Sequence, residues 1–249
     1  MKIIGVIPSR LQSSRLSQKP LVDIEGLPMV VHVLKRAQLS RTLDEVYVAT
    51  DSEEIYELIE AHNGKAMMTS SQHRTGSDRI AEAAGKIEAD IIVNIQGDEP
   101  LLEPGHIDRV VEPFKKDPDL QIAVVVTPYT KKNSPSVIKA VLDLNDHILY
   151  CSRDDLPSAA RCPVETMWKM SFIVPFRKDF LLKYAAWEQT PLEKIEFNEY
   201  LRVLEHGYKI KAVRVAHAEI SVDTPEDLAI VREKMKADPI RQKYMQLIK

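Results

Sequence analysis

Short apolar segments alternate with amphipathic helical segments in the first part of the chain, up to Ile95. The apolar segments, each bounded by polar or turn residues, are 1–7, 45–50, 65–68 and 89–95. Between them, side chains such as Val30, Val33 and Leu34 recur at helical spacing. Parallel strands need long crossover connections, and a helix is the usual crossover. The alternation therefore predicts a Rossmann-like α/β fold, with three layers around a mixed, mostly parallel sheet.

The rest of the chain predicts more antiparallel structure, and no linker divides it from the first part. The predicted strands are 122–129, 137–144, 147–151, 167–174 and 210–215. The second and third form a hairpin around Asn145–Asp146, and the fourth ends at Pro175. Helices are predicted at 177–187 and 191–206, and Thr224 caps a later one. We therefore predict a single domain with a smaller subregion in its second half.

Composition and charge exclude several classes of protein. Hydrophobic residues make up 44% and charged residues 29% of the 249 residues, which is typical of a globular protein. The formal net charge of -3, without a basic stripe, gives no general attraction to nucleic acid or to membranes. The sequence contains no membrane-spanning run, and its first apolar segment is too short for a signal peptide. Two cysteines do not make a disulfide framework or a metal site, so we expect reduced, buried thiols and a cytoplasmic protein.

A loop with three cationic side chains follows the first apolar segment. Arg10, Arg15 and Lys19 lie there among hydroxyl and amide side chains. Ligands of α/β folds bind at the carboxyl ends of parallel strands, and cations at that position suit a polyanion such as a triphosphate. The alternative is a solvated basic loop. The sequence has neither a P-loop nor a Gly-x-Gly-x-x-Gly fingerprint, so side-chain cations must bind any phosphates.

The pentapeptide Gln96-Gly97-Asp98-Glu99-Pro100 follows the most apolar segment. A carboxylate at that position is unfavourable unless a positive charge meets it. Mg²⁺ is a natural partner, because it binds one or two carboxylates together with phosphate oxygens and water. Alternatively, the pentapeptide caps a helix before Pro104. Asp223 is a second candidate metal ligand, although Thr224-Pro225-Glu226-Asp227 is also a good helix start.

Several short blocks stand in the order of a known enzyme family. They are Ile7-Pro8-Ser9-Arg10, Ser14-Arg15-Leu16, Lys19-Pro20-Leu21, Ala49-Thr50-Asp51, Thr75-Gly76-Ser77-Asp78-Arg79, Gln96-Gly97-Asp98-Glu99-Pro100, Ser152-Arg153, Leu201-Arg202, Gly207 with Lys209-Ile210, and Val222-Asp223-Thr224-Pro225-Glu226-Asp227. With these blocks the chain resembles, over nearly its full length, the 3-deoxy-manno-octulosonate (Kdo) cytidylyltransferase family, also called CMP-Kdo synthetases.

The resemblance implies a Mg²⁺-dependent cytidylyltransferase. Such an enzyme transfers CMP from CTP to the anomeric hydroxyl of a 2-keto-3-deoxy sugar acid (Kdo or a close relative), releases pyrophosphate and serves surface polysaccharide or lipopolysaccharide synthesis. The resemblance also implies a fold of the nucleotide-diphospho-sugar transferase type and a homodimer, whose surface would include the helix 191–206. Residues 1–130 would mainly bind the nucleotide, and residues 131–249 would mainly bind the acceptor and form the dimer.

The resemblance assigns roles to individual residues. Arg10, Arg15 and Lys19 would hold the triphosphate, with Lys19 nearest the α-phosphate. Lys19, Arg10 and Asp98 would be catalytic, and Asp98 and Asp223 would bind Mg²⁺. Thr75, Gly76 and Ser77 would line the cytidine pocket, and Gln96, Arg153 and Glu199 would face the acceptor.

The acceptor side departs from the family pattern. Met170 and Val174 replace a histidine and a tyrosine that reach the sugar in the family. Phe172 replaces a glycine, and Tyr200 replaces a glutamine. A site that loses hydrogen-bonding groups discriminates against the substrate whose hydroxyls they served. We therefore hypothesise a different acceptor-binding set that includes Met170, Val174 and Tyr200, and an acceptor such as an amino-sugar keto acid or a phosphonate. The alternative is sequence drift compensated by Tyr200 or Arg161.

Two other classes of function compete with this one. A glycosyltransferase with a similar sheet would carry an Asp-x-Asp metal motif in place of the pentapeptide, and it would consume a nucleotide sugar rather than CTP. A non-catalytic nucleotide-binding paralogue would be expected to have lost Lys19 or Asp98, and both are present.

Overall fold

The computed structural model describes residues 1–11, 16–73 and 75–248. Within these residues the strands are β1 (Ile3–Ser9), β2 (Asp23–Ile24), β3 (Leu27–Pro28), β4 (Glu45–Thr50), β5 (Lys65–Met68), β6 (Ile91–Asn94), β7 (Ala123–Tyr129), β8 (Lys139–Leu142), β9 (Ile148–Ser152), β10 (Met167–Ser171), β11 (Val174–Arg177) and β12 (Lys211–Arg214). The helices are α1 (Met29–Ala37), α2 (Glu53–Ala61), α3 (Gly76–Gly85), α4 (Pro104–Lys116), α5 (Lys178–Ala185), α6 (Pro191–Glu196), α7 (Leu201–Glu205), α8 (Pro225–Lys236) and α9 (Pro239–Ile248), and Lys19–Leu21 form a short 3₁₀ helix.

The chain divides into two compact units. The first contains residues 1–108 and the residues from 219 onward, and the second contains residues 109–218. The predicted α/β class with a mostly parallel sheet is confirmed. The division into a nucleotide half, 1–130, and an acceptor half, 131–249, stays a prediction.

Parallel strands form the sheet of the first unit. β1 pairs with β4 and β6, and β4 pairs with β5. The order within this unit is therefore β5-β4-β1-β6, with α1, α2 and α3 in the connections. Every residue of β6 is buried, as are all residues of β1 except Pro8. Strands covered on both faces read as continuous apolar runs, which is why the sequence located them.

Side-chain caps set where three helices of this unit begin. The Ser52 side chain accepts a hydrogen bond at the start of α2. Thr75 and Asp78 form a reciprocal capping box at the start of α3. Thr224 and Asp227 form the same motif at the start of α8, so the predicted cap at Thr224 is confirmed. Such caps satisfy backbone N–H groups that have no partner within the helix, and each contributes about 1 kcal/mol.

Mostly antiparallel strands form the sheet of the second unit. The order is β12-β7-β10-β8-β9, in which β12 pairs with β7 in parallel and the other pairs are antiparallel. β8 and β9 form the predicted hairpin, and Asp146 adopts φ 57° in its turn. Asp tolerates this left-handed conformation better than most residues, which explains why the Asn-Asp pair marks the turn.

Two predictions for the second unit are wrong. The strand predicted at 167–174 ends at Ser171, and Pro175 lies inside β11. The N–H of Ile173 donates to the carbonyl oxygen of Ser171 at 3.0 Å, and this tight turn separates β10 from β11. The helix predicted at 191–206 is instead the two short helices α6 and α7.

The break between α6 and α7 depends on a distant arginine. Phe197 adopts φ 48°, which ends α6 although the apolar spacing continues. The guanidinium of Arg153 donates to the carbonyl oxygens of Glu196 at 2.9 Å and Phe197 at 3.1 Å. These bonds satisfy carbonyl groups that a helix end leaves without partners. Because Arg153 is far in sequence from residues 191–206, the apolar periodicity of that segment could not indicate the break.

The two cysteines differ in burial. Cys151 is buried, and burial raises the pKa of its thiol to about 12, whereas Cys162 is exposed. The prediction of buried thiols is therefore correct for Cys151 and wrong for Cys162. Among the helices in the described ranges, none has the length and hydrophobicity that crossing a membrane requires.

A buried histidine joins α1 to α9. His32 Nε2 lies 2.6 Å from the carbonyl oxygen of Ile24, and His32 Nδ1 lies 2.5 Å from the hydroxyl oxygen of Tyr244. A carbonyl oxygen can only accept, so Nε2 carries the hydrogen in the neutral ring and Nδ1 accepts from Tyr244. Burial of the fully buried ring lowers the pKa of His32 to about 4. The ring is therefore neutral in the folded protein at neutral pH.

We expect His32 to make stability depend on pH. In the unfolded chain the pKa of His32 is near 6.5. As the pH is lowered from about 6.5 to 4, the unfolded state binds a proton that the folded state does not, so the free energy of unfolding decreases. Between pH 7 and pH 4.5 the wild-type protein should lose roughly 2 kcal/mol more unfolding free energy than His32→Gln, whose amide offers a donor and an acceptor without titrating. Urea unfolding at the two pH values measures this difference, and equal losses would contradict it.

Candidate active site

A reversal of strand order brings two loops together in the first unit. β1 and β6 are neighbours, but the chain passes from β1 to β4 and β5 before it reaches β6. Such a reversal opens a crevice at the carboxyl ends of the two strands. Arg10 follows β1, and the pentapeptide 96–100 follows β6. The fold therefore places the two strongest sequence signals at the same end of the sheet.

Gly97 allows the loop after β6 to pack closely against the end of β1. A Cβ atom at Gly97 would lie 2.8 Å from the carbonyl oxygen of Pro8 and 3.4 Å from a side-chain carbon of Ile7. The first distance is too short for any side chain, and the obstructing atom belongs to the backbone. Glycine at this position thus holds the next residue, Asp98, beside the carboxyl end of β1.

Lys19 connects the two aspartates predicted as metal ligands. Its Nζ lies 2.7 Å from Asp98 Oδ2 and 2.9 Å from Asp223 Oδ1. The lysine side chain is 12% exposed, and the aspartate side chains are 30% and 36% exposed. Two carboxylates at such close range repel each other, and the ammonium group between them offsets that repulsion. The structure therefore brings Lys19, Asp98 and Asp223 together at one point.

Helix capping does not account for Asp223. Thr224 provides the cap of α8, and the carboxylate of its partner Asp227 accepts from the backbone N–H groups of Asp223 at 3.1 Å and Thr224 at 2.9 Å. Burial raises the pKa of Asp227, but these hydrogen bonds outweigh burial and hold the pKa below its ordinary value. The cap fixes the backbone of Asp223 and leaves its carboxylate directed at Lys19.

The two carboxylates fit a Mg²⁺ ion. Mg²⁺ prefers one or two carboxylate oxygens and takes its remaining ligands from water and substrate phosphates. Within the described ranges, no group of three or more His, Cys, Asp or Glu side chains could hold a metal ion by itself. Asp98 and Asp223 together match a Mg²⁺ site that the nucleotide would complete, and their assignment as ligands stays a prediction.

The other predicted phosphate ligands are only partly placed. Arg10 is exposed at the end of β1. Arg15 lies outside the described residues. The grouping of Arg10 and Arg15 with Lys19 around a triphosphate therefore stays a prediction.

The residues predicted for the cytidine pocket begin α3. Thr75 is the N-cap, and Ser77 is 2% exposed. A Cβ atom at Gly76 would lie 3.5 Å from the side chain of Pro8, which is ordinary contact distance. The amino end of α3 thus packs against the end of β1 and directs helix N–H groups to the same region. The role of these three residues in binding cytidine stays a prediction.

A buried ion pair between Arg79 and Asp51, which the sequence did not predict, anchors α3. Arg79 is 3% exposed and donates to Thr69 Oγ1 at 2.5 Å and to Asp51 Oδ2 at 2.9 Å. Asp51 follows β4 and Thr69 follows β5. One guanidinium group therefore ties α3 to the ends of two strands. The sequence shows Asp51 at the end of a predicted strand and Arg79 in a later helix. Sequence alone does not indicate that the two side chains pair.

Comparison with known proteins identifies the family. A family model for cytidylyltransferases matches residues 4–210. The 3-deoxy-manno-octulosonate cytidylyltransferase of Geotalea uraniireducens is 42% identical over 250 residues, covering 95% of this chain and 100% of that protein. This chain belongs to the 3-deoxy-manno-octulosonate cytidylyltransferase family. The protein of the same name from Fusobacterium nucleatum is 42% identical over 245 residues, covering 97% of this chain and 100% of that protein.

A solved structure of this family superposes closely. It is a CMP:2-keto-3-deoxy-manno-octonic acid synthetase complexed with CTP, and it matches with a TM-score of 0.92 at 36% identity. The match covers 95% of this chain and 99% of that chain. The predicted membership of the cytidylyltransferase family is therefore confirmed in sequence and in fold.

The departures from the family's acceptor pattern are packed inside the second unit. Met170 is 1% exposed and Val174 is 0% exposed. Tyr200 is 2% exposed, and its ring stacks on Phe172 with centroids 5.6 Å apart and an angle of 13° between the planes. Such a stack stabilises by about 0.5–1.5 kcal/mol beyond area burial. In this cytidylyltransferase, Met170 and Val174 contribute apolar packing where the family pattern predicts polar groups.

Arg153 is engaged by backbone carbonyl groups of its own unit. Besides the bonds to Glu196 and Phe197, its guanidinium donates to the carbonyl oxygen of Pro135 at 3.0 Å. The Glu196 carboxylate accepts from the Arg153 N–H at 3.0 Å and from Ser152 Oγ at 2.7 Å. Burial raises the pKa of Glu196, but these hydrogen bonds outweigh burial and lower the pKa below its ordinary value. Arg153 therefore organises the turn between α6 and α7, and its contact with an acceptor stays a prediction.

The two remaining acceptor candidates lie in different units. Gln96, in the first unit, donates from its amide nitrogen to Asn94 Oδ1 at 3.2 Å. Glu199, in the second, accepts the Tyr184 hydroxyl with its backbone carbonyl at 3.2 Å. Their roles toward the acceptor stay predictions.

We expect Gly97→Ala to destabilise the protein by about 1–3 kcal/mol, as other overpacked sites do. The added methyl group meets the backbone oxygen of Pro8 at 2.8 Å, so the loop that carries Asp98 must move. Gly76→Ala is the matched control, because its methyl group would meet Pro8 at an ordinary 3.5 Å. Urea unfolding of the two variants measures the difference. Equal unfolding free energies would show that Gly97 is not needed for the close approach.

Proposed function

We propose that this protein transfers CMP from CTP to the anomeric hydroxyl of Kdo and releases pyrophosphate, in support of surface polysaccharide or lipopolysaccharide synthesis. The observation that carries the proposal is the convergence of Lys19, Asp98 and Asp223 at the switch point of a cytidylyltransferase sheet. The names of the most similar proteins, CMP-Kdo synthetases and Kdo cytidylyltransferases, support CTP and Kdo as substrates. We also propose a cytoplasmic location.

Mg²⁺ belongs to this proposal. Asp98 and Asp223 would hold the ion, and phosphate oxygens and water would complete its coordination. When bound, Mg²⁺ supplies positive charge against the phosphate oxygens and makes a coordinated hydroxyl a better nucleophile.

The protein's own cations stabilise the reacting phosphate. Two carboxylates fix the Lys19 ammonium in place before substrate arrives. A group that is already positioned need not reorganise when negative charge develops on the α-phosphate and on the departing pyrophosphate. Arg10 and Arg15, which the sequence predicts as further triphosphate ligands, would add positive charge for the phosphates. A non-catalytic nucleotide-binding protein would not require a lysine positioned at the α-phosphate, so the position of Lys19 favours catalysis.

A second acceptor is favoured by one observation. Met170 and Val174 are fully packed apolar side chains, so neither supplies a hydrogen bond to a sugar hydroxyl. An acceptor related to Kdo, in which an amino group replaces a hydroxyl, would need different partners. The second candidate function is therefore CMP transfer to an amino-sugar keto acid, by the same nucleotide chemistry.

The proposal also includes a homodimer. Three large apolar side chains are exposed at α6, at its end and on β9: Ile195 at 73%, Phe197 at 82% and Leu149 at 63%. Arg153 links the end of β9 to the end of α6, so these side chains belong to one connected part of the second unit. A second copy of the chain would remove them from water, and each would contribute about 1.5–3 kcal/mol if fully buried.

The proposed activity is tested by pyrophosphate release from CTP, Kdo and Mg²⁺. Wild-type protein should turn over, and Lys19→Ala should lower turnover about a hundredfold because a charge-stabilising donor is lost. Lys86→Ala is the matched control, since Lys86 forms an exposed ion pair with Glu82 on α3. Full activity in Lys19→Ala would overturn the catalytic role of this lysine. The absence of wild-type turnover with every acceptor would overturn the cytidylyltransferase activity itself.

The same assay decides between the two acceptors. Kdo, an amino analogue of Kdo, sialic acids and phosphonates are compared by kcat/KM. A preference for Kdo of tenfold or more would exclude the amino-sugar candidate, and the reverse preference would support it.

We expect Phe197→Asn to weaken self-association at least tenfold. Asn accepts the left-handed backbone at this position, so the substitution removes the exposed ring without straining the turn. Ile230→Asn, on α8 with 50% exposure, is the matched control because it also removes an exposed apolar side chain. Sedimentation velocity at micromolar concentrations measures the association. A monomeric wild-type protein would contradict the proposed dimer.

A further inference from the structure

Polar and apolar side chains alternate along the segment 219–223, which leads into α8. Ile220 and Val222 pack on the buried apolar cluster formed with α1 and α8. Glu219, Ser221 and Asp223 alternate with them along the chain and contact polar partners instead. The segment is therefore held by apolar contacts at Ile220 and Val222 and by polar contacts at Glu219, Ser221 and Asp223.

Each polar contact has a different partner. Asp223 contacts Lys19, which also holds Asp98. Ser221 Oγ donates to Glu99 Oε1 at 3.1 Å. His106 Nδ1 lies 2.5 Å from Glu219 Oε1, and it is the donor because a carboxylate can only accept. In addition, the Val222 N–H donates to the carbonyl oxygen of Asp98 at 2.9 Å.

These contacts join the segment that carries Asp223 to the segment that carries Asp98. Glu99 directly follows Asp98, and His106 lies in the first turn of α4. Glu99, His106 and Glu219 are 4%, 5% and 6% exposed, so their contacts are shielded from water. When one partner of a buried polar contact is removed, the other keeps its desolvation cost without a compensating hydrogen bond. Buried contacts therefore restrict the positions of the segments that carry them.

We propose that the pairs Ser221–Glu99 and Glu219–His106 are positioning contacts that set the separation of Asp98 and Asp223 for a divalent cation. This inference rests on the proposed function, because it concerns the ion of the proposed Mg²⁺ site. Lys19 alone cannot set the separation, since a flexible four-carbon side chain follows the carboxylates that it binds. The contacts of Glu219 and Ser221 act through the backbone. They therefore hold Asp98 and Asp223 at the same separation whether or not Lys19 is present. Residues behind metal ligands are known to change metal affinity by about 10–100-fold when they are lost.

Ser221→Ala tests the inference, because it removes one hydroxyl and leaves every charge in place. We expect the dissociation constant of Mn²⁺, measured by electron paramagnetic resonance with CTP present and the acceptor omitted, to rise about tenfold. At saturating metal, kcat should stay within about twofold of the wild-type value, because the aspartates and Lys19 are unchanged. Ser221→Thr keeps the hydroxyl and should restore Mn²⁺ affinity.

Ser40→Ala is the matched control. Ser40, between α1 and β4, donates from its hydroxyl to Asp108 Oδ1 at 2.6 Å, so it loses the same type of bond. We expect it to leave the affinity for Mn²⁺ unchanged, whatever its effect on thermal unfolding. Glu219→Gln is a second variant at the other contact. Its amide oxygen still accepts from His106, so it should fold and should weaken Mn²⁺ binding less than Ser221→Ala.

The possible outcomes separate this inference from the proposed function. Wild-type Mn²⁺ affinity in Ser221→Ala overturns the inference, even if the wild-type protein is an active cytidylyltransferase. An equal loss of affinity in Ser221→Ala and Ser40→Ala also overturns it, because a general loss of stability would then be the cause. A wild-type protein that binds no Mn²⁺ and does not turn over CTP overturns the proposed function and the inference together.

Discussion

One ammonium group lies between two carboxylates at the end of a parallel sheet, and the proposed active site of the first unit depends on this contact. Asp98 and Asp223 come from distant parts of the chain and would repel each other without a cation between them. Lys19 supplies that cation from a third part of the chain. The proposed Mg²⁺ and triphosphate would meet these same three charged groups. Structure and proposed chemistry therefore rest on the same electrostatic constraint.

Several features keep this contact in place. Gly97 permits the loop after β6 to lie against the backbone of Pro8, and the capping box of Thr224 and Asp227 holds the backbone before α8. Neither feature carries out chemistry. Both restrict where the aspartates can be, so that little conformational freedom remains to be lost when substrate binds. In the second unit Arg153 plays a comparable part, because it uses its donors to shape a helix end.

The predictions from sequence succeeded where short-range physics decides the outcome. Continuous apolar runs such as β6 and the capping sequence at Thr224 are local signals, and the structure confirms both. The predicted helix 191–206 failed because a distant arginine stabilises a break at Phe197, although apolar spacing continues through it. The contact between His106 and Glu219 was missed for the same reason. Two ionisable residues far apart in sequence give no sign that they will meet.

The sequence by itself determined the family, the α/β class and the residue types at the site, because motifs and periodicity are properties of neighbours along the chain. Only the tertiary structure decided which of those residues meet. The sequence placed the cap at Thr224, but only the fold showed that the neighbouring Asp223 carboxylate contacts Lys19. The reason is physical: a carboxylate bonds whichever donor the fold places within about 3 Å, and that distance depends on packing between segments far apart in the chain.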